Sequence, residues 1–183
     1  DARARLTISR GGSPADPLPL APAAGVPETI SAWTLPLAPE LAGWQADGVA
    51  VCVMKSPFAR GNFPQLKTLN TLPPVMALRF AHGEGCQEAI LVDRQGKLLE
   101  GAGSNLFLVH GRRLTTPPAR LGLLAGRTRA VVLGLAAAAG LEVSETACDR
   151  RDLLTAGEAF LSGSVKEIVP IVRAEGRPVG DGR

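Results

Sequence analysis

Apolar and polar positions alternate along the chain in short runs, broken by turn residues and by two longer helical stretches. Residues 3–10 (RARLTISR) set Leu6 and Ile8 between polar neighbours, which predicts a strand. Residues 11–27 are crowded with Gly, Pro, Ala and Asp and predict a loop or connector. From Glu28 the pattern tightens, and ETISAWTLPL and GVAVCVMKS predict strands. A helix is predicted over 73–82, with proline in its first turn and Gly83 and Gly85 beyond its end. Two hairpins follow. EAILVD and KLLEGAG flank Arg94-Gln95-Gly96, and NLFLV and RRLTT flank His110-Gly111. The clearest helix is the Ala-rich stretch 128–139, closed by Gly140. LEVSETAC then predicts a strand, Asp149 caps a short helix (RRDLLTAG), and EAFLSGS and EIVPIVRA predict the closing strands. The expected fold class is α/β (α+β) with a strand-rich core.

Composition narrows the function classes. The 183 residues are 45% hydrophobic and only 4% aromatic, and no apolar run reaches the length of a membrane span. With no signal-peptide pattern at the start, a cytoplasmic location is expected. Cys52, Cys86 and Cys148 are scattered without a C-x-x-C pair, which speaks against a disulfide framework or a structural metal site. The net charge of +3 is spread along the chain, and few aromatics are present to stack bases, so nucleic acid is not an expected partner.

Three places could carry chemistry. Lysine is scarce: Lys55, Lys67, Lys97 and Lys166 are the whole set. Lys67, in QLKTLN between a proline-containing loop and a helix, could be a solvated surface residue or a Schiff-base amine, the latter requiring partial burial. Leu124-Ala125-Gly126-Arg127-Thr128-Arg129 sets a glycine just before a helix. The amides of Arg127 and Thr128, the Thr hydroxyl and the helix dipole could there hold an anion, or Thr128 could simply cap the helix. Ser162-Gly163-Ser164 is either a plain turn or a second set of phosphate donors.

The order and spacing of these motifs resemble the signature of the class IV aminotransferases, the fold-type IV pyridoxal-phosphate enzymes. EGAGSNLF at 100–107, LTT at 114–116 and LAGRTR at 124–129 fall in the family's order, with LKTLN upstream and LSGSVKEIVPI downstream. Arg127 departs from the pattern, standing where the family usually has an aliphatic residue. The resemblance implies pyridoxal 5'-phosphate as cofactor, with Lys67 as its Schiff-base lysine and as the general base and acid. It implies that Glu100 pairs with the pyridine nitrogen, that Asn105 supports the Glu100 strand, and that Leu124 packs on the ring. Gly126, Arg127, Thr128 and Ser164 would hold the phosphate.

The resemblance also implies a small N-terminal domain ahead of a larger one, and a homodimer. Residues 1–12 are then expected to be a remnant of the small domain, 13–27 the connector, and 28–183 a large cofactor-binding domain truncated at its C-terminus. For the reaction, the chain has no tyrosine, its lysine segment is KTLN, and Ala15 and Pro17 stand where a substrate-carboxylate trap of Arg and His would be. Those features lead to the expectation of an aminodeoxychorismate lyase, releasing pyruvate to give 4-aminobenzoate for folate synthesis. An aminotransferase acting on branched-chain or D-amino acids is the alternative, and a non-catalytic relative or fragment the second.

Overall fold

The computed structural model describes residues 1–10, 27–57 and 66–182, and the chain falls into two compact units, Asp1–Pro39 and Glu40–Arg183. The positions of Ala15 and Pro17, and most of the expected connector, lie outside the described residues.

The first unit is an antiparallel pair, β1 (Ala2–Ser9) and β2 (Thr29–Pro36), in register from Ala2 opposite Pro36 to Ser9 opposite Thr29. Strand β2 was expected to open the large domain, and it pairs with β1 instead. The pairing matches Ile8 with Ile30 and Arg5 with Trp33, the guanidinium of Arg5 lying 5.7 Å from the Trp33 ring centre.

The second unit opens with α1 (Leu41–Asp47) and β3 (Val49–Val53). Helix α2 (Leu72–Gly83) leads into the hairpin β4 (Glu88–Val92) and β5 (Leu98–Gly101), and β6 (Asn105–His110) and β7 (Arg113–Thr116) form the second hairpin. A 3₁₀ turn at Ala119–Leu121 precedes α3 (Arg127–Ala138), then β8 (Glu142–Glu145) and α4 (Arg150–Leu154). Strands β9 (Glu158–Gly163), β10 (Glu167–Ala174) and β11 (Arg177–Pro178) close the unit. Among the described residues the strands run β5-β4-β3-β10-β9-β6-β7-β8, with β11 on β10. Pairing is parallel for β3 with β4, β3 with β10, and β7 with β8, and antiparallel at the other joints.

Three elements were not expected from the pattern: α1, the 3₁₀ turn and β11. Helix α1 has no side-chain cap and buries only Leu41, so it carries little amphipathic signal. The other elements stand within three residues of their expected places, with β3, β8 and α4 each ending three residues earlier than expected.

Strand periodicity decides what is buried. Leu106 and Leu108 join Leu161, Val169, Ile90 and Val51 in the largest apolar cluster. Their neighbour Phe107 stacks on Phe160 at 4.8 Å, next to Ala136 of α3. Each such side chain contributes roughly 1.5–3 kcal/mol on burial. Helix α2 sets Ala77 and Ala81 against Ala89, Leu91 and Leu99, a small-residue face that lets it lie close to the sheet. The sheet thereby brings the ends of β5, β6 and β9 together, because β6 pairs with β9 from Asn105 opposite Ser162 to Val109 opposite Glu158.

Candidate functional site

The end of β5 and the start of β6 carry a buried polar group. Glu100 is 2% exposed and Asn105 is 7% exposed. The Leu124 N–H donates to Glu100 Oε2 at 3.2 Å, and Asn105 Nδ2 donates to the Leu124 carbonyl at 2.8 Å. Asn105 Nδ2 also stands 3.5 Å from Glu100 Oε2. Residues 100, 105 and 124 are thus one hydrogen-bonded unit, holding the segment ahead of α3 against the β5–β6 turn.

Gly126 is the next link. It caps α3 in extended conformation, and a Cβ placed there would lie 2.2 Å from Asn105 Oδ1. Only glycine allows this approach. Arg127 and Thr128 are the first two residues of α3, and no side chain caps the helix. Two residues on, Arg129 is 5% exposed and donates through Nη2 to the Pro117 carbonyl at 3.1 Å and to Glu145 at 2.6 Å. This fixes the first turn of α3 on the β7–β8 side of the sheet. Sequence reading had given Arg129 no task beyond closing the motif.

Ser164 is exposed in the β9–β10 turn. Lys67 is also exposed, on the irregular stretch that leads into α2, and the partial burial asked of a Schiff-base lysine is not provided by the described residues. The other lysines separate clearly: Lys97 pairs with Asp149 at 3.3 Å, Lys166 pairs with Glu88 at 2.6 Å, and Lys55 is exposed. The hydrogen bonds therefore join Glu100, Asn105 and Leu124, close approach adds Gly126, and Arg127 and Thr128 follow by sequence. Lys67 and Ser164 lie outside that bonded unit.

Sequence reading passed over Glu88, and it weighed Ser162 only as part of the Ser162-Gly163-Ser164 turn. Ser162, fully buried and in register with Asn105, has a hydroxyl with no hydrogen-bond partner. Glu88, 1% exposed, was read only as the first residue of a strand. An acid opening an otherwise apolar strand run was the available signal for it.

Cavities lie elsewhere among the described residues. One of about 280 Å³ is bordered by His110, Arg113, Ser144, Cys148 and Asp152, and one of about 610 Å³ by Phe160, Ile168, Pro170 and Val179. Neither is lined by a sequence-predicted site residue. Burial, reinforced by Asp152 and Asp149, pushes the Cys148 thiol up to about 12, so it is no nucleophile near neutral pH. Burial likewise pushes Cys52 up to about 12. Among the described residues no group of three or more His, Cys, Asp or Glu could hold a metal ion.

The profile described as Amino-transferase class IV matches residues 1–174. A Methanocaldococcus jannaschii protein assigned to the branched-chain-amino-acid aminotransferases is 37% identical over 181 residues, 99% of this chain and 62% of that protein. The crystal structure of the Escherichia coli branched-chain amino acid aminotransferase superposes with a TM-score of 0.86 at 31% identity, covering all of this chain and 60% of that one. A Thermobaculum terrenum branched-chain aminotransferase, solved in its PLP form, gives 0.76 at 29% identity over 86% of this chain and 52% of that one. The chain thus spans 52–62% of the length of these relatives.

The comparisons overturn the aminodeoxychorismate lyase expectation, and the folate role with it, because the relatives are named as branched-chain aminotransferases. The expectation failed because its evidence was indirect. A KTLN segment and a missing tyrosine describe the surroundings of a lysine, and they do not report which substrate side chain is accepted.

Pyridoxal phosphate is the family's cofactor, and the residues present fit it. A buried carboxylate is held by neutral donors from Leu124 and Asn105, a helix start is free of side-chain caps, and a glycine permits close approach. The buried Ser162 hydroxyl without a partner adds a polar atom beside Asn105.

Proposed function

The chain is a member of the class IV aminotransferases, and from that premise we propose that it belongs to an enzyme moving the amino group of a branched-chain amino acid to a 2-oxo acid. The observation that carries this reading is its 31–37% identity, over essentially the whole chain, to proteins bearing that name. The intact Glu100–Asn105–Leu124 unit at the helix start supports it.

In this reading Lys67 attaches the cofactor and moves the proton at the substrate α-carbon, as base and then as acid. When bound, pyridoxal phosphate supplies an electron sink for the pair left behind by that proton. Glu100 is the carboxylate that would pair with the ring nitrogen and keep it protonated, and the Leu124 N–H and Asn105 Nδ2 hold that carboxylate in place. The amides of Arg127 and Thr128, with the Thr128 hydroxyl and Ser164, hold the phosphate. The Arg127 side chain is exposed and leaves its own amide free for that task. Leu124 would pack on the ring, and the burial of Glu100 would keep bulk water from the group that pairs with its nitrogen.

A homodimer and a cytoplasmic location belong to the same reading. No helix among the described residues is long and apolar enough to cross a membrane.

The test is an amino-transfer assay on the intact protein with pyridoxal phosphate and 2-oxoglutarate. L-leucine, L-isoleucine and L-valine should be converted to their oxo acids with matching glutamate formation. Preference for D-alanine by tenfold or more in kcat/KM would move the reading to D-amino acids. The absence of any glutamate would end it.

A further inference from the structure

Away from the bonded unit of Glu100, a second buried carboxylate joins two turns. Glu88, at the start of β4, accepts the N–H of Ala89 and the N–H of Ala102 on Oε1, both at 3.1 Å. On Oε2 it accepts the Ser104 hydroxyl at 3.1 Å and the Lys166 ammonium at 2.6 Å. Ala102 and Ser104 form the turn between Glu100 and Asn105, whereas Lys166 comes from the β9–β10 turn, two residues beyond Ser164.

The two turns are also close through their backbones. A Cβ on Gly163 of the β9–β10 turn would stand 3.5 Å from the Gly103 carbonyl and 4.0 Å from Ser104 Cβ. The β9–β10 turn needs outside support, because Glu167 is held at φ +54, a left-handed conformation that a residue with a Cβ avoids. Lys166 supplies that support on three sides: its ammonium on Glu88, its carbonyl accepting from Gln45 Nε2 at 3.1 Å, and its charge 5.7 Å from the Trp44 ring centre.

Simple stabilisation is a poor account of this arrangement. A buried ion pair often adds little compared with apolar side chains of the same size. We propose that the Glu88–Lys166 pair is a positioning latch: it sets the β9–β10 turn, and with it Ser164, against the turn that carries Glu100 and Asn105. The inference rests on the cofactor reading given above. Neither residue touches the cofactor; both act through the turns they hold.

The test compares pyridoxal 5'-phosphate with pyridoxal, which lacks the phosphate, by absorbance titration of the intact protein. The variants are Lys166→Arg, Lys166→Met and the paired Glu88→Gln/Lys166→Met, the last leaving no unpaired buried charge. The paired variant should keep its melting temperature within a few degrees and weaken pyridoxal phosphate by about tenfold. Pyridoxal affinity should be unchanged, and Lys166→Arg should restore the phosphate form to within about threefold. Equal weakening of both ligands, unchanged affinity for both, or a paired variant that does not fold would each overturn the latch. Wild-type protein that binds neither ligand would instead remove the cofactor reading on which the latch depends.

Discussion

Helix α4 begins beneath its own carboxylates, whereas α3 begins behind a glycine, and the contrast separates a helix start that is internally satisfied from one kept open. At α4, Asp149 accepts the N–H of Arg151 at 2.9 Å and of Asp152 at 3.2 Å, and Asp152 accepts the Asp149 N–H at 2.7 Å. This reciprocal box satisfies three of the donors at the helix start, the amides of Asp149, Arg151 and Asp152. At α3, Gly126 offers no side chain, and no residue caps the amides of the first turn. The same orphan donors serve stability in one place and are left for an anionic ligand in the other.

The sharpest way to break the comparison is Arg127→Pro beside Arg127→Ala. Proline is tolerated at the first helical position, and Gly126 is already extended at φ −67 and ψ 149, so the fold should survive while one N–H disappears. Pyridoxal phosphate affinity should fall by about 10–100-fold in the Pro variant and by less than about threefold in the Ala variant. Equal affinities would show that the amide holds no phosphate.

Next in size is Gly126→Ala. The new Cβ meets Asn105 Oδ1, which must move and loosen its bond to Leu124. A loss of about 1–3 kcal/mol in denaturant unfolding is expected, together with weaker cofactor binding. Wild-type stability would mean that Asn105 yields freely.

Asp149→Ala should cost about 1 kcal/mol by the same measurement and leave pyridoxal phosphate affinity as it was. A change in affinity would show that the two helix starts are coupled.

The smallest effect is the pH dependence of that cap. The Asp152 N–H, opposed in part by burial and aided by Lys97 and the Arg151 N–H, holds the Asp149 carboxyl below the usual carboxylate range. A depressed folded value means that the stabilisation is full above the unfolded value of about 3.9 and fades as pH falls through the folded one. The melting-temperature gap between wild type and Asp149→Ala should therefore be constant from about pH 5 to 7 and narrow below about pH 4. A gap that stays constant to low pH would assign the cap to geometry alone.

What could be read in the sequence followed how local its cause was. The Asp149 cap, the Gln95-Gly96 and His110-Gly111 turns and the Ala-rich α3 each depend on neighbours within a few positions, and each appears where expected. Glu100 and Asn105 were singled out by motif spacing, and their hydrogen bonds to Leu124 span only 24 and 19 residues. Glu88 and Lys166 are 78 residues apart, and the sequence pattern assigns Lys166 no role. Nothing local announces such a pair. The pairing of β2 with β1 escaped for a related reason, since its partners stand 20 residues apart at Ser9–Thr29 and 34 at Ala2–Pro36.

The parallel joint of β3 with β10 also has a consequence in time. The joint matches Val49 with Ile171 and Val51 with Ala174, while β9 and β10 together bridge β3 to β6. On a ribosome, the β5-β4-β3 and β6-β7-β8 groups emerge well before the two strands that sit between them. Until those arrive, β3 and β6 each present a bare apolar edge, the kind of surface on which nascent chains pair wrongly. Synthesis past Ala174 is what lets the halves close, so a stalled chain ending near Gly157 should be held by chaperones or lost to aggregation, while one extended past Asp181 should become resistant to protease.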